Sequence, residues 1–311
     1  MLSSLTQPHY PKAALGIEAS GISCVALQST GKGQFAIKQA ASVELPPGLV
    51  TPSFVDLNIS DDVEFSACLK EAAVAAGLLG QKRWSVALPS NTARTAILAL
   101  DSEPASRKEA DEVLDWKAEQ TFGVPAAQLR IARKKISPGK EGRTRYFATA
   151  VKLSVIDEYE THFERMGWKA GLIVPRAVGE ANWLLSESET SDSLLISGNN
   201  SGFTALLLRA AEPAVVRSVL CRPEEVEDEI YRLLMFYNDR YARLQGEGRL
   251  EKMLVIGKSL IPQKIQSIAS EALGNDLKVL SHDEVGLDLP GEGLSFNDIA
   301  APAGLATLGF A

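Results

Sequence analysis

The sequence predicts an α/β protein made of two similar halves, with a small α/β module set into the first. Three observations carry that expectation. Short β-rich runs come in threes, joined by brief turns, at 13–42 and again at 193–219. Each trio is followed by helix, strand and helix, with apolar residues at helical spacing. Between 89 and 167 lies a further α/β run with no counterpart in the second half. The duplication is one of pattern, not of residue identity.

Residues 13–17 read as a short buried strand, with 22–28 and 34–42 as two more. The breaks at 19–21 and 29–33 are short enough for hairpin turns, so the three make an antiparallel meander that Pro46-Pro47-Gly48 ends. From Asp61, apolar Phe65, Leu69, Ala72 and Ala76 recur at helical spacing, and Gly77 supplies a stop. Residues 84–88 are a strand returning to the same sheet. In the module, 92–100 is strand-like, and Ser106 with Glu109 has the spacing of a capping box for a helix to about 121. Strands at 129–136 and 144–151 flank the turn 137–140, and a helix at 154–166 closes the module. A strand at 169–174 and a helix from Pro175 to about 185 complete the first half. The polar run 186–192 is the domain boundary, giving expected domains of 13–190, with the module at about 89–167, and 191–311.

The second half repeats the grammar. Strands at 193–196, 204–208 and 214–219 precede a long helix opened by Pro223, whose core face is Val226, Ile230, Leu233, Leu234, Tyr237, Tyr241 and Leu244. A strand at 253–256, a helix at 262–273, a strand at 277–280 and a last helix at 302–308 follow. Phe122 and the tryptophans Trp116, Trp168 and Trp183 are expected in cores. Tyr231, Tyr237 and Tyr241 read as helical-face packing rather than a base-stacking platform, because no basic groove accompanies them.

Composition excludes several function classes. Across 311 residues, 45% hydrophobic content supports a real core, and a net charge of −7 argues against general nucleic-acid binding. No apolar run approaches the roughly 20 residues of a membrane span, and the N-terminus lacks a basic region followed by an apolar stretch, so a cytoplasmic protein is expected. Cys24, Cys68 and Cys221 are scattered and read as small buried hydrophobes; His9, His162 and His282 have no metal-site spacing. Strings of the GxSxG, HExxH, CxxC and P-loop type are absent.

The runs 15–27, 43–48, 84–89 and 119–125, with Gly304-Leu305-Ala306 near the end, occur in an order and spacing that resembles the PilM family of type IV pilus assembly. That family is similar to FtsA and belongs to the superfamily of actin and the sugar kinases. The resemblance spans about residues 13–311. It implies duplicated actin-like (ribonuclease H-like) domains around a central cleft, with an inserted small module. It also implies that two Gly-rich hairpins and an adenosine-binding turn would face nucleotide. In members that bind ATP, turn N–H groups hold the phosphates and an Asp from each hairpin directs Mg²⁺ through water. The positions carried over are Glu18, Ser20 and Gly21 in the first hairpin, Gly198, Asn199, Gly202 and Thr204 in the second, and Gly257 and Ser259 in the adenosine turn.

The chemistry at those positions departs from ATP binding. Glu18 replaces the first Asp, Ala19 the second Gly of that turn, Ser197 the second Asp, and Lys258 sits where base and ribose would lie. The expectation is a pseudo-ATPase: no catalytic residue, no resident metal, and ATP and magnesium bound only weakly. By the resemblance, the protein is a non-catalytic scaffold of type IV pilus assembly that binds the cytoplasmic N-terminal peptide of a PilN-like inner-membrane protein, in a groove between the first domain and the module. Through that partner it would lie at the inner membrane and couple to the motor ATPase of the pilus; self-association is also open. A functional ATP-binding switch, and the cytoplasmic domain of a GspL-like type II secretion component, are the competing readings. The end at Ala311, with no span after it, weighs against the second. Arg133, Lys134, Lys135, Arg143 and Arg145 crowd one hairpin and are the expected contacts for an acidic partner or anionic lipid, where a solvated charged hairpin is the plainer alternative.

Overall fold

The computed structural model describes residues 9–138, 142–185, 191–239, 250–290 and 293–310. In chain order the elements are β1 (Ala13–Glu18), β2 (Gly21–Gly31), β3 (Gln34–Glu44), α1 (Asp62–Ala75), β4 (Arg83–Leu88), β5 (Arg94–Ala99), α2 (Arg107–Phe122), β6 (Leu129–Ile136), β7 (Arg145–Lys152), α3 (Leu153–Arg165), β8 (Lys169–Pro175) and α4 (Arg176–Ala181). Then come β9 (Asp192–Asn199), β10 (Gly202–Arg209), β11 (Glu212–Leu220), α5 (Val226–Tyr237), β12 (Leu250–Ile256), α6 (Pro262–Leu273), β13 (Lys278–Val279), β14 (Leu287–Asp288) and α7 (Phe296–Thr307).

The chain divides into two compact units, one of Met1–Ala93, Ser154–Gly179 and Gly286–Ala311, the other of Arg94–Leu153 and Glu180–Val285. The first holds a six-stranded sheet ordered β14-β3-β2-β1-β4-β8. The meander β1-β2-β3 is antiparallel, whereas β4 and β8 add parallel strands. Apolar side chains of β1, β2 and β4 (Leu15, Ile17, Ile22, Val86) are buried, with Phe65 and Leu69 of α1 in the same core. Asp61 caps α1 by accepting from the N–H groups of Val63 and Glu64 at 2.9 Å, and Gly77 (φ +69°) turns the chain away.

The second unit contains a five-stranded sheet ordered β11-β10-β9-β12-β13. Its meander β9-β10-β11 is antiparallel and β12 and β13 are parallel additions, the same arrangement as β1-β2-β3 with β4 and β8. The duplicated pattern is therefore a duplicated topology. α5 and α6 cover this sheet with Ile230, Leu233, Leu234, Ile265 and Ala269. The same unit holds a three-stranded antiparallel sheet ordered β5-β7-β6, against which α2 buries Leu114, Ala118 and Phe122. Ser137, just past β6, donates its N–H to Glu212 of β11 at 2.8 Å.

These units are drawn otherwise than the expected 13–190 and 191–311. α3, counted above in the module, packs on α1: the Phe65 and Tyr159 ring centroids are 6.2 Å apart. α7 lies on the first unit's sheet, where Ser23 Oγ donates to the Asp298 carbonyl at 2.8 Å. That helix begins at Phe296, six residues earlier than Pro302 suggested, capped by Ser295, and carries Pro302 in its interior. The ring of Pro302 packs on Gly16 so closely that a Cβ there would lie 2.9 Å from its Cδ. The helix after Pro175 ends at Ala181 and continues as a 3-10 turn, Asn182–Leu184. β14 has no counterpart in the expected elements. Trp116 faces solvent at 57% exposure, not a core, whereas Phe122 and Trp168 are buried. Tyr241 and Leu244 of the long helix, and 139–141 in the basic hairpin's turn, lie outside the described residues. Among the described residues no helix is long and apolar enough to cross a membrane, which leaves β-barrel spans unaddressed.

Candidate functional site

Each unit carries one of the hairpins singled out above. In the first, β1 and β2 are joined by the two-residue turn Ala19-Ser20, with Glu18 opposite Gly21. Gly21 is needed because β3 passes close by: a Cβ would meet the Val43 carbonyl oxygen at 2.9 Å. Ser20 is exposed and its carbonyl accepts from Leu45 N–H at 3.0 Å, which ties the turn to the end of the meander. Glu18 ends β1 with a carboxylate only 28% exposed, and its Oε1 lies 3.3 Å from Nη1 of Arg176. Arg176 opens α4 directly after β8, is 11% exposed as a side chain, and donates from Nη2 to the Asn297 carbonyl at 3.2 Å. Sequence reasoning missed Arg176. Nothing local marks it, since only the sheet order brings the ends of β1 and β8 together.

The second hairpin turns at 200–201, with Asn199 opposite Gly202. Asn199 Oδ1 accepts from Ser201 N–H at 2.8 Å, so its side chain builds the turn. Thr204 shares a 3.2 Å hydroxyl contact with Ser218 of β11. Ser197, where the second carboxylate would stand, is 1% exposed, and its Oγ has no hydrogen-bond partner among the described residues. The glycines are accounted for by crowding. Gly202 (φ +133°) has the Val219 carbonyl oxygen 2.0 Å from where a Cβ would be. Gly198 is pressed by Leu260, and Gly257 (φ +144°) packs on the Gly198 backbone at 3.0 Å by the same measure. Lys258 and Ser259 are exposed in the turn after β12.

These residues fit Mg²⁺ and nucleotide poorly. One carboxylate is already paired with a guanidinium, the other position holds a neutral hydroxyl, and Asn199 and Thr204 are used by the hairpin itself. Mg²⁺ is ordinarily held by carboxylates and phosphate oxygens with retained waters, which this donor set does not supply. Among the described residues no group of three or more His, Cys, Asp or Glu side chains is placed to hold a metal.

The basic residues are divided by the fold. Arg133 pairs with Asp115 of α2, Arg143 Nη1 lies 3.7 Å from Asp101, and Arg145 Nε donates to the Ser137 carbonyl at 3.0 Å. Lys134 and Lys135 are exposed. Hydrogen bonds from Ser137, and then the charges of Lys134 and Arg145, hold the Glu212 carboxyl below the usual range. The five side chains thus form a partly compensated cluster on β6, β7 and the residues just before β7, with β6 at an edge of its sheet.

No family model matches the chain, and no curated protein matches it. Among solved structures it is similar to a chain of the PilM–PilN type IV pilus biogenesis complex, with a TM-score of 0.75 and 18% identity, over 98% of this chain and 100% of the other. The fold is actin-like. Weaker likenesses include a Bacteroides thetaiotaomicron protein with an actin-like ATPase fold (TM-score 0.49, 12% identity, 94% and 95% covered). Another is the cytoplasmic domain of EpsL, an inner-membrane component of the type II secretion system of Vibrio cholerae (TM-score 0.47, 10% identity, 96% and 93% covered).

Proposed function

We propose that this protein is a non-catalytic scaffold of type IV pilus assembly, held at the inner membrane by the cytoplasmic N-terminal peptide of a PilN-like protein. The observation that carries the reading is the match over almost the whole of both chains to a structure described as a PilM–PilN complex. The hairpins support the non-catalytic half of it: Glu18 is engaged by Arg176, and Ser197 carries no charge. Fold alone does not fix function, so the partner must be tested directly. The edge strand β6 supports peptide recognition, because an unpaired edge can accept an added strand through its backbone groups.

The test is calorimetric titration of the full chain with the cytoplasmic N-terminal peptide of a PilN-like protein from the same cell, against a scrambled peptide. Saturable binding to the native order alone is expected, at micromolar affinity, worth about 8 kcal/mol. Equal response to both peptides, or to neither, removes the scaffold reading.

A further inference from the structure

The end of β1 poses a problem in charge balance. A carboxylate with most of its surface withdrawn from water needs a cation nearby or must neutralise. Glu18 has that cation in the chain itself. Arg176 is delivered by the β8–α4 junction, two strands from β1 in the same sheet, and its guanidinium approaches Glu18 Oε1 at 3.3 Å. Its second nitrogen is anchored on the Asn297 carbonyl, in the first turn of α7. Three separate elements therefore fix one charge at the hairpin, and a guanidinium keeps that charge at every physiological pH.

We propose that Arg176 is a built-in counter-ion, taking over at the first hairpin the charge-balancing role that a divalent cation has in ATP-binding members of the fold. The hairpin then keeps its conformation without metal or nucleotide. This rests on the non-catalytic reading above and explains how the fold sustains it. The observed pair also explains the side chain at position 18: glutamate reaches one methylene further than aspartate, toward a guanidinium arriving from β8.

The test uses the full chain and its unfolding midpoint in chelator and in millimolar MgCl₂, with Mn²⁺ binding followed by electron paramagnetic resonance. The wild type is expected to show one midpoint in both buffers and no Mn²⁺ site tighter than millimolar. Arg176→Met should melt roughly 5–10 °C lower, as a broken buried pair does, and should regain part of that loss with magnesium. Arg176→Met/Glu18→Gln removes both charges, so it should recover stability and ignore magnesium; Arg176→Lys should behave as the wild type toward the cation. If Arg176→Met does not fold, a folded double variant carries the same conclusion. Failure of both to fold shows that packing rather than charge is at stake and overturns the proposal. So does magnesium stabilisation of the wild type, or a magnesium response that survives Glu18→Gln. Peptide titration of the wild type is independent of these outcomes, so failure of the scaffold reading and failure of this one are told apart.

Discussion

His162 illustrates how burial sets the behaviour of a single side chain. It is 1% exposed, edge-on to Phe65 with ring centroids 4.9 Å apart. Nδ1 shares a 2.9 Å hydrogen bond with Ser66 Oγ, and Nε2 is 3.4 Å from Asp62, which is itself bound by Arg165 at 2.8 Å. Burial pushes the imidazole below its ordinary value; the Asp62 charge opposes this and Arg165 adds to it. The folded state therefore holds a neutral ring, while the unfolded chain takes up a proton near pH 6.5. Its contribution to stability is complete above that pH and is lost as pH falls below it, with a limiting slope of about 1.4 kcal/mol per pH unit. Urea unfolding of wild type and His162→Gln between neutral and mildly acidic pH should show the gap between them narrowing as pH falls. A gap independent of pH would mean that folding leaves the imidazole equilibrium unshifted, and a gap that widened as pH fell would mean that the folded state favours the charged ring.

At the scale of elements, the turn glycines separate two demands that look alike in sequence. Gly202 has both a left-handed backbone and a carbonyl in the way, 2.0 Å from a would-be Cβ. Gly274 caps α6 with φ +67° and nothing within 4 Å. Gly274→Ala should cost about 1 kcal/mol of backbone strain. Gly202→Ala should cost about 3 kcal/mol or more, because β11 must also move away from β10. Comparable urea midpoints for the two variants would show that the β10–β11 spacing yields easily. The same distinction bears on the hairpin's role. Glycines that leave room for a phosphate and glycines that leave room for a neighbouring strand are identical letters, and here the strand accounts for them.

Across the whole molecule, a net charge of −7 coexists with a basic stretch on β6 and β7. Three of its five side chains face partners inside their own unit and Lys134 acts on Glu212 there, so it is by their exposure that Lys134 and Lys135 can meet an acidic surface from outside. Exposed charges are screened beyond about 8 Å at physiological ionic strength. Binding of the proposed PilN-like partner or of anionic vesicles through this edge should weaken as salt rises, and Lys134→Glu/Lys135→Glu should lower it further without changing the far-ultraviolet circular dichroism. Salt-independent binding that the double reversal leaves intact would return the hairpin to a solvated charged surface.

Local chemistry determined a great deal here. Alternating apolar residues and short turns located both meanders, Asp61 and Gly77 bounded α1, and the repeat of one grammar in each half announced a duplicated topology that the two sheets display. These features depend on neighbours a few residues apart, so they can be read along the chain. The identity of the altered hairpin positions was equally legible, since Glu18, Ser197 and Lys258 need no coordinates to be seen. Tertiary structure alone shows what those side chains touch. Whether Glu18 awaits a cation or already has one depends on β8 lying two strands from β1, and whether Pro302 starts a helix or fills a gap depends on Gly16 beneath it. Trp116 was misplaced for the same reason: helical spacing defines a face, but only packing chooses which face meets the sheet. Ion pairs, close backbone approaches and burial join segments distant in the chain, and no periodicity along the sequence encodes them.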